Sequence, residues 1–205
     1  MKRLISKAMI LMYSIFLVGC AAIYKPINPP SLNYISHDLQ DGIGFSYKYD
    51  VLLEKGNRKY ANKEYKKGMK LVAVKMTNNT DSILNVGRDL VFYAGQKELN
   101  LLEPIAIKNS IKQIVPGYLT YLLLSFTYIN VSSGNTSKTY PIGLVLGPVV
   151  TFGNVAVAAS ANNKMFNELQ EYNVLSRDIQ KGETIYGIIG IRNIGSLHLT
   201  IKFRN

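Results

Sequence analysis

The sequence predicts a mainly β domain, a β-sandwich or barrel of short strands interrupted by a long, apolar, partly α-helical insertion. Three observations predict it. Early in the body, Phe45, Tyr47, Tyr49, Val51 and Leu53 occupy alternate positions, with Ser46, Lys48 and Asp50 between them. That is the period of a half-buried strand. At the other end, Leu197, Leu199, Ile201 and Phe203 alternate with His198, Thr200, Lys202 and Arg204. Between these regions lies a stretch of about 70 residues, too long and too apolar for a plain loop.

The chain opens with Lys2, Arg3 and Lys7, then an uncharged run from Ala8 to Gly19 that leads to Cys20, its only cysteine. A basic head, a short apolar body and small residues at a cut site are the anatomy of an export signal. The run is too short to cross about 30 Å of hydrocarbon as a helix. Leu17-Val18-Gly19-Cys20 resembles the lipobox of bacterial lipoproteins, in which the chain is cut before a cysteine that then carries fatty acyl chains such as palmitate. The resemblance implies a signal peptide over 1–19 and lipidation of Cys20. It also implies a membrane as partner and residence in the cell envelope, at the outer membrane facing the periplasm. More than one acyl chain gives stable anchoring. With one cysteine, no intrachain disulfide forms.

The formal charge is +11, and removing the three positive charges of Lys2, Arg3 and Lys7 leaves +8. Outside the cytoplasm the matching anion is a lipid headgroup or an acidic glycan rather than nucleic acid.

Residues 20–42 read as a lipidated tether, because Pro26, Pro29 and Pro30 favour an extended, semi-rigid linker. His37 falls in it as a solvated residue. The body, 43–205, starts with the strand through Phe45. Gly56-Asn57 ends it, and a second strand follows over Met69–Met76. Short strands are expected at Ile83–Val86, Asp89–Tyr93 and Glu98–Leu102, with a hairpin turn at Ala94-Gly95-Gln96. A late strand spans Glu183–Ile189, Asn193–Ser196 turns the chain, and the Leu197–Phe203 strand puts His198 on its polar face.

The run Leu71-Val72-Ala73-Val74-Lys75-Met76-Thr77-Asn78-Asn79-Thr80-Asp81 resembles a strand and turn of the immunoglobulin-like domains of bacterial extracytoplasmic lipoproteins. Lys181-Gly182-Glu183-Thr184, followed by an apolar strand with a central Gly187, is similar to their late hairpin. The resemblance implies an immunoglobulin-like β-sandwich and no particular reaction.

The insertion covers about 104–173. It holds no charged residue from Gln113 to Ser137 or from Thr139 to Asn163, and only Lys138 divides the two halves. Each half approaches the ~20 residues that span a bilayer, and Gly143 and Gly147 have the spacing that lets membrane helices touch. Pro148, Asn130 and Asn154 weigh against spanning. Packing onto the sandwich, interfacial contact and spanning all remain open. Met165, Phe166, Leu169 and Tyr172 then mark an amphipathic helix, beginning near Asn162 or continuing from Val155.

One polar cluster stands out. Lys55, Arg58, Lys59, Lys63, Lys66, Lys67 and Lys70 lie close together, with Tyr60 and Tyr65 interleaved and Glu64 the only acid among them. It reads as a solvated loop or as a binding patch for an anionic lipid or glycan surface. No catalytic or metal-ligating set is expected: the two histidines are far apart, Gly-x-Ser-x-Gly is absent, and no pair of acids is singled out. No cofactor is expected either. The sequence thus predicts a lipid-anchored envelope protein with a non-enzymatic binding, scaffolding or envelope-maintenance role toward a partner it does not name. The alternative is a membrane-embedded assembly or transport component that uses the 113–163 apolar hairpin.

Overall fold

The computed structural model describes residues 20–34, 38–192 and 197–204. The expected signal peptide, His37 and the Asn193–Ser196 turn lie outside them. In chain order the elements are β1 (Asp38–Gln40), β2 (Ile43–Lys48), α1 (Val51–Glu54), α2 (Arg58–Lys66) and β3 (Met69–Asn78). Next come β4 (Leu84–Asn85), α3 (Val86–Asp89), β5 (Leu90–Ala94), β6 (Lys97–Glu98) and α4 (Pro104–Ile111). A 3-10 segment (Val115–Phe126) precedes the hairpin β7 (Ile129–Ser133) and β8 (Thr136–Tyr140), then the long α5 (Gly143–Glu171). Strands β9 (Asp178–Ile179), β10 (Thr184–Arg192) and β11 (Leu199–Phe203) close the chain. Helix makes up 39% and strand 31% of the described residues, so the fold is mixed α and β rather than mainly β.

The chain divides into two compact units. Among the described residues, 24–34, 38–112, 162–192 and 197–204 form the body, and 20–23 with 113–161 form an apolar unit. In the body, one antiparallel sheet has the order β1-β2-β3-β10 and another the order β11-β5-β6. Both contribute to one core, which includes Phe45, Val72, Val74, Met76, Ile189, Phe92 and Ile201. The Phe45 and Phe92 rings meet edge-on across it, 6.0 Å apart. Two sheets around one core is the layering that alternating strands demand.

Helices supply what the sequence reading lacked. β3 is buried on both faces, which is why Leu71-Val72-Ala73-Val74 is a continuous apolar run. Its second face lies against α2, whose Glu64 carboxylate accepts the Leu71 amide proton. β10 admits close neighbours through glycine. A side chain at Gly187 would strike Val174, and one at Gly190 would meet Ile107 of α4 at 2.6 Å.

Several expected elements change type. The first strand ends at Lys48, because Asp50 takes a left-handed conformation (φ 56°). Val51 and Leu52 are then buried in succession, as a helical turn permits and a strand does not. The basic run is helix α2 instead of a loop, since Tyr60 and Glu64, four residues apart, are its buried side. The short strands near 83–102 shrink around α3, although Gly95 (φ 59°) does turn the hairpin between β5 and β6. The late amphipathic helix begins at Gly143 and runs through Pro148 without a break.

Candidate functional site

The residues that follow Cys20 are held in place, which the expected tether over 20–42 did not anticipate. In the apolar unit, Asn154 Oδ1 accepts the Ala21 N–H at 2.5 Å. Gln113 pairs with the Ala22 backbone in both senses. Its Oε1 accepts Ala22 N–H at 2.9 Å and its Nε2 donates to Ala22 O at 2.6 Å. In the body, Asn57 repeats this pattern on Lys25, accepting its N–H at 2.8 Å and donating to its carbonyl at 2.7 Å. Glu168 then receives three donors: the Tyr24 hydroxyl at 2.6 Å, the Ile27 amide at 3.0 Å and the Asn28 amide at 2.7 Å. Tyr24 and Ile27 are buried, and burial followed by the Glu168 charge holds the Tyr24 phenol far above its ordinary pKa. The prolines are consistent with this path. Pro29 starts a single 3-10 turn after Asn28, which sits at φ 50°.

Cys20 itself is exposed. It leads into the small core of the apolar unit, where Ala21 packs with Tyr118, Tyr121 and Ala158. The 3-10 segment and the first part of α5 lie antiparallel in that unit. Gly143 N–H donates to Thr127 O at 2.9 Å at one end, and Ala158 meets Tyr118 and Tyr121 at the other. Gly143 and Gly147 make this closeness possible. A Cβ on Gly143 would come within 2.6 Å of Thr127 N, and one on Gly147 within 2.7 Å of Ser125 N. The small-residue spacing therefore serves a contact inside the unit.

The remaining faces of this pair are apolar and exposed. Leu123, Phe126, Leu144, Val145, Val149 and Phe152 are each at least 63% exposed. The insertion is thus of two kinds: Ile107, Ile111, Met165 and Leu169 near its ends are buried in the body, whereas the 113–161 segment leaves these large apolar side chains exposed. The two asparagines that weighed against spanning are both bonded. Asn154 Nδ2 donates to Val150 O at 2.7 Å, and Asn130 Oδ1 accepts from Thr139 at 2.6 Å. α5 is the one described helix long and apolar enough to cross a membrane, and 22% of its most apolar window is buried.

The basic cluster is split by the fold. Arg58, Lys59, Lys63 and Lys66 lie on α2, with Lys67 directly after it and Lys55 at the end of α1. Lys70 turns elsewhere: it bonds Asp50 at 3.0 Å and lies over the Tyr49 ring at 5.4 Å. Lys59, Lys63 and Lys67 recur every four residues and so share one side of the helix. Lys112, at the end of α4, joins them. Lys63 Nζ donates to its carbonyl, and burial first, then Lys59, Lys67 and Lys112, push the Lys63 pKa down. Lys112 was legible as the last charge before the uncharged run at Gln113, but its partnership with α2 required the fold.

His198 is exposed, and its Nδ1 lies 3.0 Å from the Tyr47 hydroxyl. Among the described residues, no group of three or more His, Cys, Asp or Glu could hold a metal ion. The body has a cleft of about 530 Å³ lined by Leu32, Tyr34, Ser46, Lys75 and Tyr186, where the Lys75 ammonium is 6.0 Å from the Tyr186 ring centre. No family model, curated protein or solved structure matches the chain.

Proposed function

We propose that the protein is a lipid-anchored component of the cell envelope, acylated on Cys20, with a non-enzymatic binding, scaffolding or envelope-maintenance role. Its place in this reading is the outer membrane, facing the periplasm. One observation carries the proposal. Within the apolar unit, the exposed Cys20 is followed by residues whose backbone is bonded by Asn154 and Gln113. A lipid on Cys20 is then attached to a fixed point rather than to the end of a free linker. The body serves as an immunoglobulin-like sandwich in this reading, supported by two antiparallel sheets around one core. The α2 lysines with Lys112 are its surface for an anionic lipid or glycan.

Intact-mass spectrometry of protein from native envelopes tests the anchor. The expected species begins at Cys20 and carries a thioether-linked diacylglycerol. A chain beginning at Met1, or cut without added fatty mass, would end the proposal. The second reading, a membrane-embedded assembly or transport component, is supported by the exposed apolar side chains of the 113–161 segment.

A further inference from the structure

We infer that the apolar unit enters the hydrocarbon layer of a lipid bilayer and forms a membrane attachment separate from the acyl group. The inference rests on the membrane-side placement proposed above, but not on modification of Cys20.

The unit cannot be stabilised by its own core. Its buried apolar cluster consists of Tyr118, Tyr121 and Ala158, whereas Leu123, Phe126, Leu144, Val145, Val149 and Phe152 face outward. So contiguous an apolar exterior marks a surface that meets lipid or another protein. Three features select lipid.

Charge is the first. The unit carries none between Gln113 and Ser137 or between Thr139 and Asn163. A protein-binding surface keeps a polar rim, whereas hydrocarbon penalises every charge. Lysines sit just outside the uncharged segments: Lys112 immediately precedes Gln113, and Lys164 immediately follows Asn163. Basic residues bordering an apolar stretch suit an anionic headgroup layer.

Length is the second. The twelve residues of the 3-10 segment span about 24 Å at about 2.0 Å each. Gly143 to Ala158 of α5 spans about the same at 1.5 Å each. The pair therefore reaches deep into a layer of about 30 Å.

The third is the hairpin at the end of the pair. Its register puts Asn130 opposite Thr139 and Ser132 opposite Ser137 on one face, with Ile129 opposite Tyr140 and Val131 opposite Lys138 on the other. A two-stranded ribbon has open edges that hydrocarbon does not tolerate. One polar face, two tyrosines at its base (Tyr128 and Tyr140) and a lysine with a long stem fit a headgroup layer. The backbone-paired helical part is left as the portion in lipid.

The chain contains no tryptophan, so an introduced one reports without background. The protein starting at residue 20 with Cys20→Ser is prepared with Leu144→Trp, Phe152→Trp or Ile83→Trp. Each is mixed with vesicles of phosphatidylglycerol and phosphatidylcholine, with and without acyl-chain bromination. Trp at 144 and 152 is expected to shift to the blue and to lose at least half its emission to brominated lipid. Trp at 83, an exposed position of the body away from α2, is expected to do neither. Absence of quenching at both 144 and 152 overturns the inference. So does a blue shift that arises without lipid and tracks self-association, since a second copy of the chain is then the occupant. Because acylation is removed, these results are independent of whether Cys20 is lipidated in the cell.

Discussion

Replacing Glu168 tests the claim that the stretch from Tyr24 to Asn28 is locked within the body. Its carboxylate accepts from the Tyr24 hydroxyl and from the Ile27 and Asn28 amides at 2.6, 3.0 and 2.7 Å. Hydrogen bonds to a charged acceptor contribute about 1.5–3 kcal/mol each, against about 0.5–1.5 for neutral ones. Glu168→Gln removes the charge from all three and turns an N–H₂ toward one donor, so at least one bond is lost outright. The expected loss is about 3–5 kcal/mol, a large share of the ~5–15 kcal/mol that holds a domain together. Tyr24→Phe removes one donor and leaves the carboxylate two amides, so it is expected to cost about 1–2 kcal/mol. Because the two residues touch, the double variant is expected to cost less than the sum of the two. Urea unfolding measures the energies, and hydrogen exchange at Ile27 and Asn28 measures the lock itself. A Gln variant within about 1 kcal/mol of the parent, with unchanged exchange at both amides, would refute the reasoning.

Three further outcomes are expected. Burial pushes the Glu64 carboxyl up from 4.5 to about 7, against the opposing Leu71 N–H bond. The folded state therefore holds that proton more tightly than the unfolded one. This contribution is fully present below pH 4.5 and lost as pH rises through about 7, a change of about 3 kcal/mol by linkage. Glu64→Gln should flatten this part of the Tm profile between pH 4.5 and 7.5; a slope equal to the parent's would assign it to another group. Gly147→Val drives a side chain into the Ser125 backbone and should cost about 1–3 kcal/mol or more, whereas Gly153→Ala, at an open position, should be tolerated. Thermal melts in detergent compare the two. Changing Lys59, Lys63, Lys67 and Lys112 to Gln should weaken binding to anionic vesicles at least tenfold near 0.1 M salt, at about 1 kcal/mol per lysine. Sedimentation with vesicles reads this, and equal binding removes the patch as a lipid surface.

The strands were legible where one face is buried and the other wet. Leu199, Ile201 and Phe203 lie on β11 as their alternation predicts, and Met69–Met76 lies within β3. Val51 and Leu53 misled, because two matching positions extend a period-2 pattern past Asp50, whose left-handed backbone ends it. Helix α2 was hidden by its charges, since only Tyr60 and Glu64 face inward and the acid reads as solvent-exposed. At the candidate site, Cys20 and the lysines of α2 were visible as residue types in a row. Glu168, Gln113, Asn57 and Asn154 were not, because each acts on backbone far away in sequence, up to 141 residues for Glu168 and Ile27.

By itself the sequence determined that Lys138 is the only charge in 113–163, and it determined the lone Cys20 and the positions of the strongest strands. These follow from side-chain solvation and local periodicity, which need no partner. Tertiary structure decided the rest. The second face of the β1-β2-β3-β10 sheet is covered by helices. The prolines after Cys20 run along a bonded path, and the apolar insertion keeps Leu123, Phe126, Leu144 and Phe152 outside its own small core. Each depends on which distant groups meet, since a buried amide or carboxylate is satisfied only by the partner that the whole fold brings to it.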